Sequence, residues 1–244
     1  MQLLLIHNAD EHVHDNKGKS PLHYAAYGGH FEATWLLLER NTEVNARDDN
    51  GLTPFLNAAA SGDSTVLRLL LDHNADENIC DNMGNTPLNY ATANGGLEVT
   101  QSLLERNAEV NARNSVGLTP LSYASISGHP DVVQLLLDHN ADVHVCDNER
   151  NTPLHLAVYC GHLEVARILL EHGAEVNSQN DERSTPLHLA SEISSKAHLD
   201  IVQLLLDRGA DAQMRNLSGQ TASEVALGAE KQDIVQLLAK HAAE

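Results

Sequence analysis

A short tripeptide recurs along the chain at a fixed step. It stands at Ser20-Pro21-Leu22, Thr53-Pro54-Phe55, Thr86-Pro87-Leu88, Thr119-Pro120-Leu121, Thr152-Pro153-Leu154 and Thr185-Pro186-Leu187, each 33 residues after the last. A degraded seventh copy opens at Thr221, 36 residues on, and the three extra residues fall within Glu192 to Lys196. Leu-rich segments keep the same beat, as in LLLERN (36–41), LLLDHN (69–74 and 135–140), LLEHGA (169–174) and LLLDRGA (204–210). A period of this length marks a chain built from small supersecondary units. None of them can bury its apolar face alone, so neighbours must do it.

Residues 147–179 show how one unit reads. Thr152 suits a helix N-cap, and Pro153 suits the first helical position, where its missing N–H would have no partner anyway. Leu154, Ala157 and Val158 supply a short apolar face on a first helix that ends at Gly161. A second helix is predicted from about Leu163, with Val165, Ile168, Leu169 and Leu170 as its stripe. Gly173 stops it where left-handed backbone is needed, and Asn41, Asn74, Asn107 and Asn140 take that place in other units. The rest of the unit is turn-rich and reads as a hairpin-like connection.

This pattern resembles the ankyrin repeat, with its 33-residue period, T-P-L-H-x-A helix start, G-H joint and G-A-D-V-N type exit. The resemblance spans essentially the whole chain. It implies an all-α repeat solenoid of helix-turn-helix units with projecting β-hairpin-like tips. We read residues 1–244 as a single such domain. A partial repeat fills 1–14; full repeats fill 15–47, 48–80, 81–113, 114–146, 147–179 and 180–215; a capping repeat fills 216–244. Glu230, Lys231, Gln232, Asp233, Gln236 and Lys240 give that last unit a polar outer face, with Ile234, Val235, Leu237 and Leu238 left to pack inward. At the front, residues 1–10 align with 133–142, so the chain starts midway through a second helix, as a piece of a longer array would.

Composition narrows the function. Aromatic residues are only 3% of the chain, so the core must be mainly Leu, Val, Ile and Ala, which suits close-packed helices. The formal charge of −19 repels phosphate backbones, which excludes nucleic acid as a partner, and it favours encounter with a basic protein surface. No apolar run reaches the length of a membrane span. Three cysteines, an odd number, point to a reducing, intracellular setting.

The stretch NTPLHLAVYCGHLEV (151–165) places Thr152, His155, Cys160 and His162 close together, as an active site could. The repeat phase argues against that. His23, His155 and His188 all follow a Ser or Thr by three residues, and His30, His129, His162 and His198 all sit at the joint between helices. The resemblance implies that the first set bonds backbone at the hairpin base and the second tethers the helix–helix turn. His155 and Cys160 lie about 140° apart around a helix axis and share no face. Cys80 and Cys146, two units apart, are out of disulfide reach. No catalytic, metal or cofactor residue is expected.

In a repeat scaffold, recognition falls to off-pattern residues at hairpin tips and on the inner helix. The tips give Arg47, Leu52, Met83, Arg113, Val116, Leu118, Glu149 and Glu182, together with Lys17, Lys19, Asp49 and Asn85. The inner-helix phases give Tyr27, Asn94, Ile126, Tyr159 and Cys160. Exposed Leu52, Met83, Val116, Leu118 and Ile126 would form an apolar contact area. Arg150 and Arg183 replace the tip glycine, so Glu149-Arg150 and Glu182-Arg183 could form a charged ladder. The insertion around Ile193 to Lys196 should bulge beside the inner helix. Trp35 and Phe31 share an outward face of a second helix. A 66-residue beat also runs through the array, since residues 39–54 match 105–120 and 72–87 match 138–153.

These features define a monomeric, non-catalytic scaffold that binds a partner protein through a concave hairpin and inner-helix surface. Two alternatives are a spacer or regulatory array for an effector domain, and a substrate of asparaginyl hydroxylation at Asn45, Asn111 and Asn177, which lie in the Glu-Val-Asn exits.

Overall fold

A computed structural model describes residues 10–193 and 195–242, so the helix expected at residues 1–9 lies outside the described residues. Two compact units make up the chain, residues 1–116 and 117–244. Unit 1 holds three helix pairs: α1 (Pro21–Tyr27) with α2 (Phe31–Leu38), α3 (Pro54–Ser61) with α4 (Ser64–Asp72), and α5 (Pro87–Ala93) with α6 (Leu97–Glu105). Unit 2 holds α7 (Pro120–Ser127) with α8 (Pro130–Asp138), α9 (Pro153–Tyr159) with α10 (Leu163–Glu171), α11 (Pro186–Glu192) with α12 (Lys196–Asp207), and α13 (Ala222–Gly228) with α14 (Gln232–His241). The described residues contain no strand.

Within each unit, helices pack in two rows. First helices touch first helices (α1 on α3 on α5; α7 on α9 on α11 on α13), and second helices touch second helices in the same order. The reason lies in one small residue per repeat. Ala25, Ala58, Ala91, Ala124, Ala157 and Ala190 are all buried at one phase of the first helix, which lets the backbones approach closely. Around them Leu22, Phe55, Leu88, Leu121, Leu154 and Leu187 are at most 1% exposed. Each such side chain contributes about 1.5–3 kcal/mol through burial. The second helices complete the core with residues such as Val165, Ala166 and Leu169, while Glu164 and Glu171 stay in water.

The tips are turns closed by an aspartate or, in other repeats, by an asparagine such as Asn114 or Asn180. Asp48 Oδ1 accepts the N–H groups of Asn50 (2.9 Å) and Leu52 (2.8 Å), and Gly51 N–H donates to the Asp48 carbonyl at 2.8 Å. Neighbouring tips are then joined through the main chain. Asn82 N–H donates to Asn50 O (2.9 Å) in unit 1, and Asp181 N–H donates to Glu149 O (3.0 Å) in unit 2. Arg150 (φ 63°) and Arg183 (φ 55°) hold the left-handed backbone that glycine takes in the other tips, at a cost of about 1–2 kcal/mol each.

Apart from Ser194, which lies outside the described residues, the insertion mainly lengthens a helix. α12 is 12 residues long against 9 for α10, so most of the extra chain becomes one more helical turn at the N-terminus of the second helix. Ser195 caps that turn by accepting the His198 N–H at 3.2 Å, and Ile193 precedes it in extended backbone. In the last pair, Ile234 and Leu238 are fully packed, whereas Val235 and Leu237 are only half-buried. Phe31 and Trp35, both more than two-fifths exposed, do present an outward apolar face on α2.

Candidate functional site

The residues best suited to chemistry are used to hold repeats together. In α9, His155 closes a capping box: the Thr152 hydroxyl (2.9 Å) and backbone N–H (3.2 Å) both point at Nδ1. Its Nε2–H donates to the Ser184 carbonyl of the next repeat at 3.1 Å. His23 does the same with Ser20 and Leu52 O (3.0 Å), and His188 with Thr185 and Gln220 O (3.0 Å). A backbone N–H can only donate and a carbonyl can only accept, so the geometry demands a neutral ring protonated at Nε2. Burial works the same way. It lowers the His155 pKa to about 4 and moves His23 and His188 in the same direction. Asn89 and Glu224 fill the same capping place in their repeats.

Two of the joint histidines reach further than the turn they were expected to tether. His162 Nε2–H donates to Ile126 O (2.9 Å), and His198 to Tyr159 O (3.3 Å), each on the first helix of the preceding repeat. Cys80 and Cys160 are exposed free thiols and Cys146 is half-buried; burial raises the Cys160 pKa. Among the described residues, no three His, Cys, Asp or Glu side chains are grouped to hold a metal ion, and no helix is long and apolar enough to cross a membrane.

The exit asparagines also bridge repeats. Asn45 Oδ1 accepts the Asp76 N–H (2.9 Å) and its amide donates to Asn74 O (3.3 Å). Asn177 repeats the clasp with Asp211 (2.8 Å) and Gly209 (3.3 Å).

Of the residues expected at the binding surface in unit 1, Tyr27, Arg47, Met83, Asn94, Arg113 and Val116 are exposed. Met83 is 50% and Val116 42% accessible, at the same phase of successive tips. Leu52 departs from expectation and is half-buried, because it sits at the hairpin base with its carbonyl bound by His23. Asn85 departs more strongly. It is buried, donating to Asp81 Oδ2 (2.9 Å) and accepting from Asn114 (2.8 Å), so it is part of the framework.

In unit 2, Glu149, Arg150, Tyr159, Glu182 and Arg183 are exposed. Leu118 and Ile126 are half-buried because they form the floor of a groove of about 590 Å³. Leu156, Tyr159 and Leu189 continue that floor, and Glu149, Asp181, Glu182 and Glu192 line it as well. No ion pair among the described residues involves these four carboxylates. Nor do Arg150 and Arg183 pair with them into the expected ladder. Burial, and next the Glu182 charge, raise the pKa of Glu192. Sequence reading missed Asp181 and Glu192. Glu192 holds the inner-helix phase of Ile126 and Tyr159, and comparing those positions would have found it.

Comparison with known families agrees with this architecture. A family model described as ankyrin repeats in three copies matches residues 1–79, 35–114 and 111–180, and a second, ankyrin repeats in many copies, matches residues 169–226. The chain belongs to the ankyrin-repeat family. Members of that family are generally protein–protein interaction modules and typically lack catalytic activity. A search of curated proteins finds no match to this chain.

Proposed function

We propose that this chain is a non-catalytic scaffold that binds a partner protein through its tips and inner helices. One observation carries this reading. His23, His155, His188, His162, His198, Asn45 and Asn177 are engaged in holding repeats together, while Tyr27, Met83, Val116, Glu149, Tyr159 and Glu182, which vary between repeats, are exposed. In unit 1 the variable face presents apolar Met83 and Val116 and aromatic Tyr27 together with polar Arg47, Asn94 and Arg113. In unit 2 it is an apolar groove lined with carboxylates. Apolar and aromatic side chains presented on rigid elements are what protein interfaces use. The excess negative charge favours a partner with a basic surface, and the odd number of cysteines, three in all, favours a reducing, intracellular setting.

The test is capture of partners from the native source by the full chain, repeated with Met83→Ala, Leu118→Ala and Tyr159→Ala. Loss of a partner in one or more of these variants, with helix content unchanged by circular dichroism, supports the reading. Undiminished capture by all three would place the contact elsewhere and favour a spacer role.

A further inference from the structure

We propose that the unit 2 groove receives a protein segment in which an arginine or lysine is flanked by aliphatic residues. This rests on the protein-binding reading and names the chemistry of one partner element. The floor of Leu118, Ile126, Leu156, Tyr159 and Leu189 is apolar, and at about 590 Å³ the groove has room for several side chains. A purely hydrophilic polycation would leave that floor uncovered. The carboxylates of Glu149, Asp181, Glu182 and Glu192 lack a cationic partner within the described residues. Glu149 has only a long bond from Asn151, at 3.4 Å. A basic side chain supplies both parts: a methylene stem for the floor and a charged head for the rim. Tyr159, more than half exposed, adds a ring face on which a guanidinium stacks.

Three of the rim acids, Glu149, Glu182 and Glu192, are not scaffolding. At the tip phase, Glu149 and Glu182 stand where unit 1 carries Met83 and Val116. At the inner-helix phase, Glu192 stands where unit 1 carries Ala60 and Ala93. The repeat therefore folds without acids at these places. Placing acids together against an apolar floor also works against the fold, as the pKa of Glu192, raised first by burial and next by the Glu182 charge, reflects. A metal ion does not fit, because no three of these carboxylates converge as ligands would. They line the groove instead, which suits an extended cationic side chain.

The experiment pans the full chain against a displayed library of random short peptides and measures the affinity of the enriched peptides by fluorescence anisotropy. Each is tested on the unaltered chain, on the groove variant Glu149→Gln/Glu182→Gln/Glu192→Gln, on a charge-matched control, and on Met83→Glu/Val116→Glu. Gln keeps the shape of Glu, and an unchanged circular dichroism melt confirms the fold. The expected result is peptides with Arg or Lys between aliphatic residues, bound at least about tenfold more weakly by the Gln groove variant and equally well by the charge-matched control, Glu32→Gln/Glu43→Gln/Glu109→Gln, on exposed acids away from the groove. Enriched peptides without a basic residue, or bound no more weakly by the groove variant than by the control, overturn the proposal. If such peptides depend on Met83 and Val116 instead, the scaffold reading survives without it. A library that yields no enriched peptide also overturns it, and partner capture then decides the scaffold reading separately.

Discussion

His155 and Ser184 belong to successive repeats, and the imidazole Nε2–H of one donates to the carbonyl of the other at 3.1 Å. The same ring accepts the Thr152 N–H through Nδ1, so one side chain fixes both the start of its own helix and the base of the next hairpin. It does this while wholly buried.

Replacing His155 with Ala therefore removes two interactions and leaves a void. The expected loss is about 3 kcal/mol of unit 2 stability, combining a cavity with unsatisfied backbone groups. Urea unfolding followed by far-ultraviolet circular dichroism measures it. A change of less than about 0.5 kcal/mol would mean that neighbouring groups replace the imidazole without cost.

The same burial sets a pH dependence. His155 titrates at about 4 in the folded chain and near 6.5 when unfolded. Between these values the unfolded chain binds more protons, so stability is full above about pH 6.5 and declines as pH falls towards 4. The difference corresponds to about 3 kcal/mol for this residue. His23 and His188, lowered in the same direction, add to the slope. The midpoint of urea unfolding, measured from pH 7.5 down to 4.5, should fall throughout this window and fall less in His155→Gln. A midpoint that is flat over this interval contradicts the neutral-ring geometry.

The helix pairs were legible in the sequence because their signals are local. Thr152-Pro153 starts a helix by capping chemistry, and Gly173 or Asn140 ends one by its tolerance of left-handed backbone. The all-α fold follows from repetition of these signals. What escaped reading depends on contacts between repeats. His162 looked like a fixture of its own turn, yet its bond is to Ile126, 36 positions earlier. Leu118 and Ile126 were expected on the surface because phase alone cannot show that Leu156 and Leu189 close a groove around them. The insertion at Ile193 looked like a loop, and Ser195 turned it into a helix start by capping His198.

Asn57 offers a stabilising change. It is 5% exposed on α3, and its side-chain nitrogen has no hydrogen-bond partner. At the same phase, unit 2 carries Leu156 and Leu189. Asn57→Leu removes an unsatisfied buried donor and adds apolar contact, so unit 1 should gain about 1 kcal/mol. A rise in melting temperature checks this. A fall would show that the Asn57 carbonyl oxygen makes a contact worth more than the amide costs.

Gly128 and His162 provide a test of the repeat-to-repeat clasp itself. Gly128 has φ 75°, and a Cβ placed there would lie 2.4 Å from the His162 ring. Gly128→Ala thus meets two penalties: about 1 kcal/mol for left-handed backbone, and the displacement of an imidazole that holds Ile126 O at 2.9 Å. Only the second depends on His162. In a double-mutant cycle, Gly128→Ala should cost about 1 kcal/mol in the His162→Ala background and about 2–3 kcal/mol in the unaltered chain. The coupling, read from urea midpoints, should therefore be at least about 1 kcal/mol. Simple additivity would show that the ring finds an equally good place beside a methyl group, and that the glycine serves the backbone alone.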